Sequence, residues 1–145
     1  MTTLKFTTKI NAPKEKVWET LWNDTTYRKW TAAFMEGSYA ESDWKEGSKI
    51  LFLDGKGDGM FSMIEKKIPN QQMSFKHLGE VQKGIEKPAD EKTESWAGSK
   101  ENYYLKEING VTELNVDMDS TEEFEKYFKD TFPKALEIVK GISEG

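Results

Sequence analysis

Apolar and polar residues alternate from the start of the chain. Leu4, Phe6 and Ile10 are separated by Lys5, Thr7 and Lys9, a period of two that predicts a strand over residues 4–10. Asn11-Ala12-Pro13 ends it, and a proline there suits the opening of a helix, where its missing N–H costs nothing. Val17, Trp18, Leu21 and Trp22 then recur at helical spacing and predict a short helix with one apolar stripe. Asp24 is placed to cap a second short helix carrying Tyr27 and Trp30.

From Phe34 onward the period returns to two. Strands are predicted over residues 34–40, 49–53, 60–68, 72–78, 103–108 and 111–118. Turn signals divide them: Glu46-Gly47, the glycine-rich run from Asp54 to Gly59, Pro69-Asn70 and Asn109-Gly110. Asn-Gly is the strongest of these, because a type I′ turn needs positive φ at both central residues. Strands joined by short turns imply an antiparallel meander. The polar stretch over residues 82–100, with Pro88 inside it and Ile85 and Trp96 as its large apolar residues, predicts a long functional or mobile loop.

The chain closes on a helix. Ser120 and Glu123 have capping-box spacing. Phe124, Phe128, Phe132, Leu136 and Val139 follow as a stripe, with Thr131, Ala135, Ile138 and Ile142 widening it. Pro133 predicts a kink, since it removes a backbone donor and crowds the carbonyl of Lys129. A strand, two short helices, a meander and a long amphipathic helix make one α+β domain over residues 1–145. Its sheet must curve around the aromatic stripe of the last helix to bury it.

Composition narrows the function classes. Hydrophobic residues reach 36% and aromatics 12%, enough for a packed core despite a 32% charged fraction. A formal charge of -5, with lysines and acids interleaved, argues against nucleic acid and anionic membranes as partners. The absence of cysteine removes disulfides, thiolate nucleophiles and cysteine-ligated zinc. No stretch approaches the roughly 20 apolar residues of a membrane span, and the first residues lack an apolar signal core, so the expected location is the cytoplasm.

The order of elements resembles the helix-grip fold of the START-like (SRPBCC) superfamily, and particular residues strengthen the likeness. The run from Ile10 through Asn11, Ala12, Pro13 and Val17 to Trp18, followed by Leu21 and Trp30, is similar to the N-terminal signature of that superfamily. The nearest branch is that of the activator of heat-shock protein 90 ATPase homologues. The hairpin from Glu107 through Asn109-Gly110 to Val116 and the closing segment from Phe132 through Pro133 to Leu136 fit the same pattern. The resemblance implies a curved antiparallel sheet around a long C-terminal helix, with two short helices after the first strand. It also implies either a small-molecule carrier or a co-chaperone-like module, because the superfamily contains lipid carriers, hormone and flavonoid binders, cyclases and chaperone partners. The additional N-terminal domain of the eukaryotic chaperone activators has no counterpart here, which weakens a direct activating role.

Candidate chemistry is sparse. Asp54, Asp58, Gly59 and Glu65 follow an EF-hand loop at several positions, but Lys56 stands where an oxygen ligand belongs and the flanks read as strands. The same glycines lack the Gly-Lys-Ser/Thr ending of a phosphate loop. No serine or threonine has an obvious base beside it, and no cofactor motif is present, so catalytic residues, metal ligands and cofactors are all expected to be absent. His77, the single histidine, shares a strand face with Met73 and Phe75. Glu101 runs in phase with Tyr103 and Leu105, and an inward face there predicts a buried acid with a raised pKa.

Phe124, Phe128 and Phe132 are expected to face Phe52, Phe61, Met63, Phe75 and Tyr103 across the domain. They either pack a solid core or wall an apolar cavity in which His77, Glu101 and Tyr103 orient a guest. Nearby methionines and the kink at Pro133 favour the cavity. The leading expectation is therefore a non-catalytic domain that holds a small hydrophobic or amphipathic molecule, with Trp96 on the long loop as a lid. The alternative is a protein-interaction module whose partner is a chaperone, and cyclase or hydrolase chemistry is a third reading. An exposed apolar patch would distinguish the protein-interaction module from the carrier.

Overall fold

The computed structural model describes all residues, 1–145, and its elements are consecutive layers of one sheet-and-helix architecture. Strand β1 (Thr2–Ile10) is followed by helices α1 (Lys14–Trp22) and α2 (Asp24–Thr31). The meander then runs through β2 (Tyr39–Glu41), β3 (Lys49–Leu53), β4 (Gly59–Ile68), β5 (Gln72–Gln82) and β6 (Ile85–Glu86). A short helix α3 (Glu91–Glu94) precedes β7 (Lys100–Ile108), β8 (Val111–Ser120) and the long helix α4 (Glu122–Glu144). The sheet has eight antiparallel strands in the order β1-β8-β7-β5-β4-β3-β2, with β6 paired to the end of β5. This is the helix-grip arrangement.

The turns work as their residues require. Asn109 and Gly110 both take positive φ, as a two-residue β7–β8 hairpin demands. Gly59 sits where a Cβ would lie 1.8 Å from the Phe52 carbonyl oxygen, so only glycine lets β3 and β4 close there. The preceding loop is held by its own acids. Asp54 Oδ1 accepts the amides of Lys56 and Asp58, and Asp58 Oδ1 accepts that of Lys83.

Four local expectations need correction. The strand expected over residues 34–40 is confined to Tyr39–Glu41, because Phe34 and Met35 still bond back to Thr31 as the end of a helical turn. Asn23, one residue before Asp24, caps α2 by accepting the Thr25 amide. Ser120 belongs to β8 and points its hydroxyl at the Thr121 carbonyl, so the capping box does not form. The segment over residues 82–100 is not a bare loop. It holds β6 and α3, and α3 has Asp90 as a true N-cap on Thr93.

Helix α4 runs through Pro133 without a break and lays Phe132, Ala135, Leu136 and Val139 on the concave face of the sheet. Phe132 stacks on Phe6 of β1 at 4.8 Å between ring centres and meets Phe34 edge-on at 4.8 Å. Trp30 anchors α2 onto α1 by donating its indole N–H to the Leu21 carbonyl at 3.0 Å. No helix is long and apolar enough to cross a membrane.

Candidate functional site

The polar groups of the interior gather at one place, where the sheet centre meets the ends of α1 and α2. Residue 77 on β5 and residue 62 on β4 are direct cross-strand partners, and Glu101 on β7 lies opposite Phe75 on β5. Alternation along β7 puts Glu101 and Tyr103 on one face, two residues apart. The result is a continuous chain of hydrogen bonds across three strands. Ser62 Oγ lies 2.7 Å from His77 Nδ1, His77 Nε2 lies 3.1 Å from Glu101 Oε1, and the Tyr103 hydroxyl donates to Glu101 Oε2.

Electrostatics fixes the direction of these bonds. Burial pushes the Glu101 carboxyl up, but the hydrogen bond and charge of His77 and the hydrogen bond of Tyr103 outweigh it, leaving the group below its ordinary value. The raised pKa expected for Glu101 is therefore corrected: it is enclosed, yet its partners favour the ionised form. An ionised carboxylate only accepts, so Nε2 carries a proton and donates it to Glu101 Oε1, while Ser62 Oγ pairs with Nδ1 on the other side of the ring. Burial and the Glu101 charge raise the Tyr103 phenol well above its usual range. The same two causes raise Tyr27, which is buried on α2 with its phenol close enough to feel Glu101.

Around this chain stands an aromatic shell centred on Trp22. Its ring is 5.0 Å from Tyr103, 5.4 Å from Phe75 and 5.8 Å from Trp44, with Trp18, Tyr27 and Trp30 between 6.2 and 6.4 Å. Phe52 closes the shell over Phe75 and His77, at 5.1 and 5.8 Å. The Trp22 indole N–H is buried without any hydrogen-bond partner. Trp44 comes from the β2–β3 loop, with φ at 61°, a conformation a bulky residue adopts only when its surroundings hold it there. Its carbonyl is bound by Lys67 Nζ at 2.7 Å and its amide by Ser42 Oγ at 3.0 Å. The Glu101 side chain remains 21% exposed, so the chain of polar groups reaches solvent.

Of the residues expected to line a site, the structure brings Phe52, Phe75, His77, Glu101 and Tyr103 together here. Phe128 and Phe132 lie farther along α4, in the aromatic cluster around Phe34. Three others stand apart. Phe61 and Met63 flank Ser62 on β4 and so point to the other side of the sheet, Phe61 covering Gly79 and lying under the Lys49 ammonium. Phe124 is 43% exposed. Trp96 makes no ring contact with the shell, and Trp44 occupies the covering position instead. Ser62, Tyr27, Trp22 and Trp44 are the site residues that candidate chemistry in the sequence did not single out. The serine also corrects the expectation that no hydroxyl has a base beside it. It is fully buried, and its hydroxyl is engaged with His77 Nδ1.

Aromatic rings rather than an empty cavity fill the space between sheet and α4. Two grooves lie elsewhere: one of about 390 Å³ along Lys5–Thr7 and Asn115–Asp117, and one of about 130 Å³ beside Pro133. Neither groove contains the polar chain, and the chemistry lies with the chain rather than with the larger opening.

Residues 11–137 match the family described as Activator of Hsp90 ATPase homolog 1-like protein. No curated protein matches the sequence. Among solved structures, the chain is similar to the Aha1 dimer from Colwellia psychrerythraea, with 21% identity, a TM-score of 0.75 and coverage of 99% of this chain and 97% of that one. A protein from Cytophaga hutchinsonii shares 27% identity at a TM-score of 0.70, over 97% of this chain and 92% of that one. A protein from Mesorhizobium loti shares 15% at 0.75, over 97% and 96%. The likenesses at 21% and 15% identity bear on the fold.

Proposed function

We propose that this chain, which belongs to the family of activator of Hsp90 ATPase homolog 1-like proteins, is a binding domain for a small aromatic molecule with polar groups. The observation that carries the reading is the unpartnered Trp22 indole N–H, enclosed by aromatic rings that include Tyr103, itself hydrogen-bonded to the partly exposed Glu101 carboxylate. A core built only for stability pairs its buried donors, and an orphan in an otherwise satisfied interior marks a place for a water or a guest. The guest enters by displacing the Trp44 side chain, which reaches the shell from the β2–β3 loop rather than from a strand of the sheet. Apolar burial against the rings supplies affinity, at about 25 cal/mol per Å², while Trp22, Tyr27 and Glu101 orient the bound molecule. Supporting this, Tyr103 on β7, Phe75 on β5 and Phe52 on β3 form a floor of rings in mutual contact on one face of the sheet.

The test is a screen of small aromatic and aliphatic compounds by two-dimensional NMR, following the tryptophan indole N–H signals. Binding at this site moves the Trp22 and Trp44 signals together, and Trp44→Gly speeds exchange of the guest. Shifts confined to the grooves along β1 and β8, with Trp22 unmoved, contradict the reading.

A second reading has its own observation. Met35, Phe124 and Tyr127 are 55%, 43% and 41% exposed, and Tyr127 is fixed beside Phe34 by a 2.6 Å hydrogen bond to its carbonyl. An apolar patch of this kind suits a protein partner, in keeping with the family's name. Variants Phe124→Ser and Tyr127→Ser test it in a chaperone pull-down. Unchanged recovery of the chaperone by both variants removes that reading.

A further inference from the structure

Strand β1 ends the sheet with β8 as its one partner, and the register shows which of its backbone groups stay open. A two-residue hairpin bonds the residues that flank it, here Ile108 and Val111. Val111 therefore faces β7, as do the other odd-numbered residues of β8, while the even-numbered ones face β1. The Leu105 N–H, which bonds the Gln71 carbonyl at 2.8 Å on the far side of β7, agrees with this phase. Through the pairs Val116–Phe6 and Leu114–Thr8, the even-numbered residues of β1 complete the ladder. Thr3, Lys5, Thr7 and Lys9 turn their N–H and C=O groups outward. The Lys9 carbonyl is taken by Lys140 Nζ of α4 at 3.0 Å, whereas Thr3, Lys5 and Thr7 are exposed and their edge groups stay open. Grooves border this stretch on both faces, one along Lys5–Thr7 and one between Phe6–Thr8 and Pro133, Leu136 and Glu137 of α4.

We propose that the β1 edge is an interaction surface for an extended acidic strand of a partner protein, paired antiparallel with the backbone of Thr3, Lys5 and Thr7. Unpaired edges template strand addition, in which main-chain bonds give affinity and alternate side chains give specificity. Charge selects the partner. Neither Lys5 nor Lys9 forms an ion pair. On the other side of β1 the chain's own β8 answers them with Asp117 opposite Lys5, Asn115 opposite Thr7 and Glu113 opposite Lys9. Those acids already hold donors, Asp117 that of Asn102 at 2.6 Å and Glu113 that of Asn115 at 2.9 Å, while Asp119 holds the Thr3 hydroxyl at 2.8 Å. On the α4 side, Lys129 pairs with Glu125 and Lys140 with Glu144, which leaves Glu137 as the acid beside the smaller groove. An added strand lies about 5 Å from the two lysines and about 10 Å from the β8 acids, so the lysines dominate. Acids opposite Lys5 and Lys9 then alternate with apolar residues that point toward Pro133 and Leu136. A second copy of this chain fits poorly. Every two-fold register that uses Thr3, Lys5 and Thr7 sets lysines of the two strands directly or diagonally opposite each other.

The experiment titrates three end-capped peptides into the isotope-labelled full chain and follows its backbone amide signals. The first is Ser-Glu-Val-Thr-Val-Glu-Ser, the second carries lysine in place of both glutamates, and the third is the first with its threonine N-methylated. The proposal expects the first to shift the amides of Thr3, Lys5 and Thr7 and to bind about tenfold tighter than the second. The formal charge of -5 on the whole chain pulls the other way, so that order reports the edge itself. N-methylation removes one ladder bond and is expected to weaken binding about fivefold or more. Thr7→Pro deletes only an edge-facing N–H, a place where a strand tolerates proline, and is expected to weaken the first peptide to a similar degree. Equal binding of the first two peptides, or no loss on N-methylation, overturns the proposal. So do shifts centred away from β1, or none at millimolar peptide. Should Thr7→Pro fail to fold, the N-methylated peptide, which leaves the protein unchanged, decides.

Discussion

Replacing Glu101 with glutamine isolates the charge at the centre of the polar chain while keeping its shape. In the folded protein the carboxylate accepts from His77 Nε2 at 3.1 Å and from the Tyr103 hydroxyl. Hydrogen bonds to a charged group are worth about 1.5–3 kcal/mol each and neutral ones about 0.5–1.5 kcal/mol, so converting two charged bonds to neutral ones costs about 2 kcal/mol. The pH dependence follows from the lowered pKa of the folded carboxyl. A group whose folded value lies below its unfolded one, near 4.3 for glutamate, contributes stability that is fully present above the unfolded value. That contribution is lost as pH falls through the folded value. The assay is urea unfolding of both proteins at neutral pH and at steps through the acid range. The gap in stability between wild type and Glu101→Gln is expected to be about 2 kcal/mol at neutral pH and to shrink steadily below about pH 4. A gap that is constant with pH, or that widens in acid, refutes the reasoning, because it would mean the folded carboxyl is neutral or unpaired.

Other substitutions test other joints of the fold. Ser62→Ala leaves His77 Nδ1 buried without a partner and should cost about 1–3 kcal/mol in urea unfolding. Phe132→Ala removes the ring held between Phe6 and Phe34 and should cost about 3–5 kcal/mol. Gly59→Ala forces a Cβ into the Phe52 carbonyl, so the β3–β4 hairpin must open, and amide exchange across those two strands should rise while β7–β8 stays protected.

Much of this architecture could be read from local chemistry. Asn109-Gly110 fixed the last hairpin because its required positive φ has few other solutions, and the stripe from Phe132 to Val139 fixed the buried face of α4. The phase of β7 was equally legible, since Asn102, Tyr104 and Lys106 alternate with Glu101, Tyr103 and Leu105. Strand β4 was not. Met60, Phe61, Met63 and Ile64 are apolar in both phases, and bulges at Phe61/Ser62 and Ile64/Lys66 reset the register against β5. Alternation alone therefore put Phe61 and Met63 inside and left Ser62 out. Trp44 had no periodic neighbour to reveal it, because its place over Trp22 depends on a loop conformation with positive φ. The Ser62–His77 contact joins strands through their pairing register, which a lone serine in a sequence does not announce.

The central claim is that the shell around Trp22 and Glu101 receives a guest. Native mass spectrometry of the protein purified from its own host, followed by denaturing extraction, tests it most directly. The account predicts a stoichiometric added mass, released on denaturation as an aromatic compound with a polar end group and lost in a Trp22→Ala variant that still folds. A clean apo mass, together with no thermal shift from any aromatic or lipid compound, would contradict it and leave the rings as a packed core.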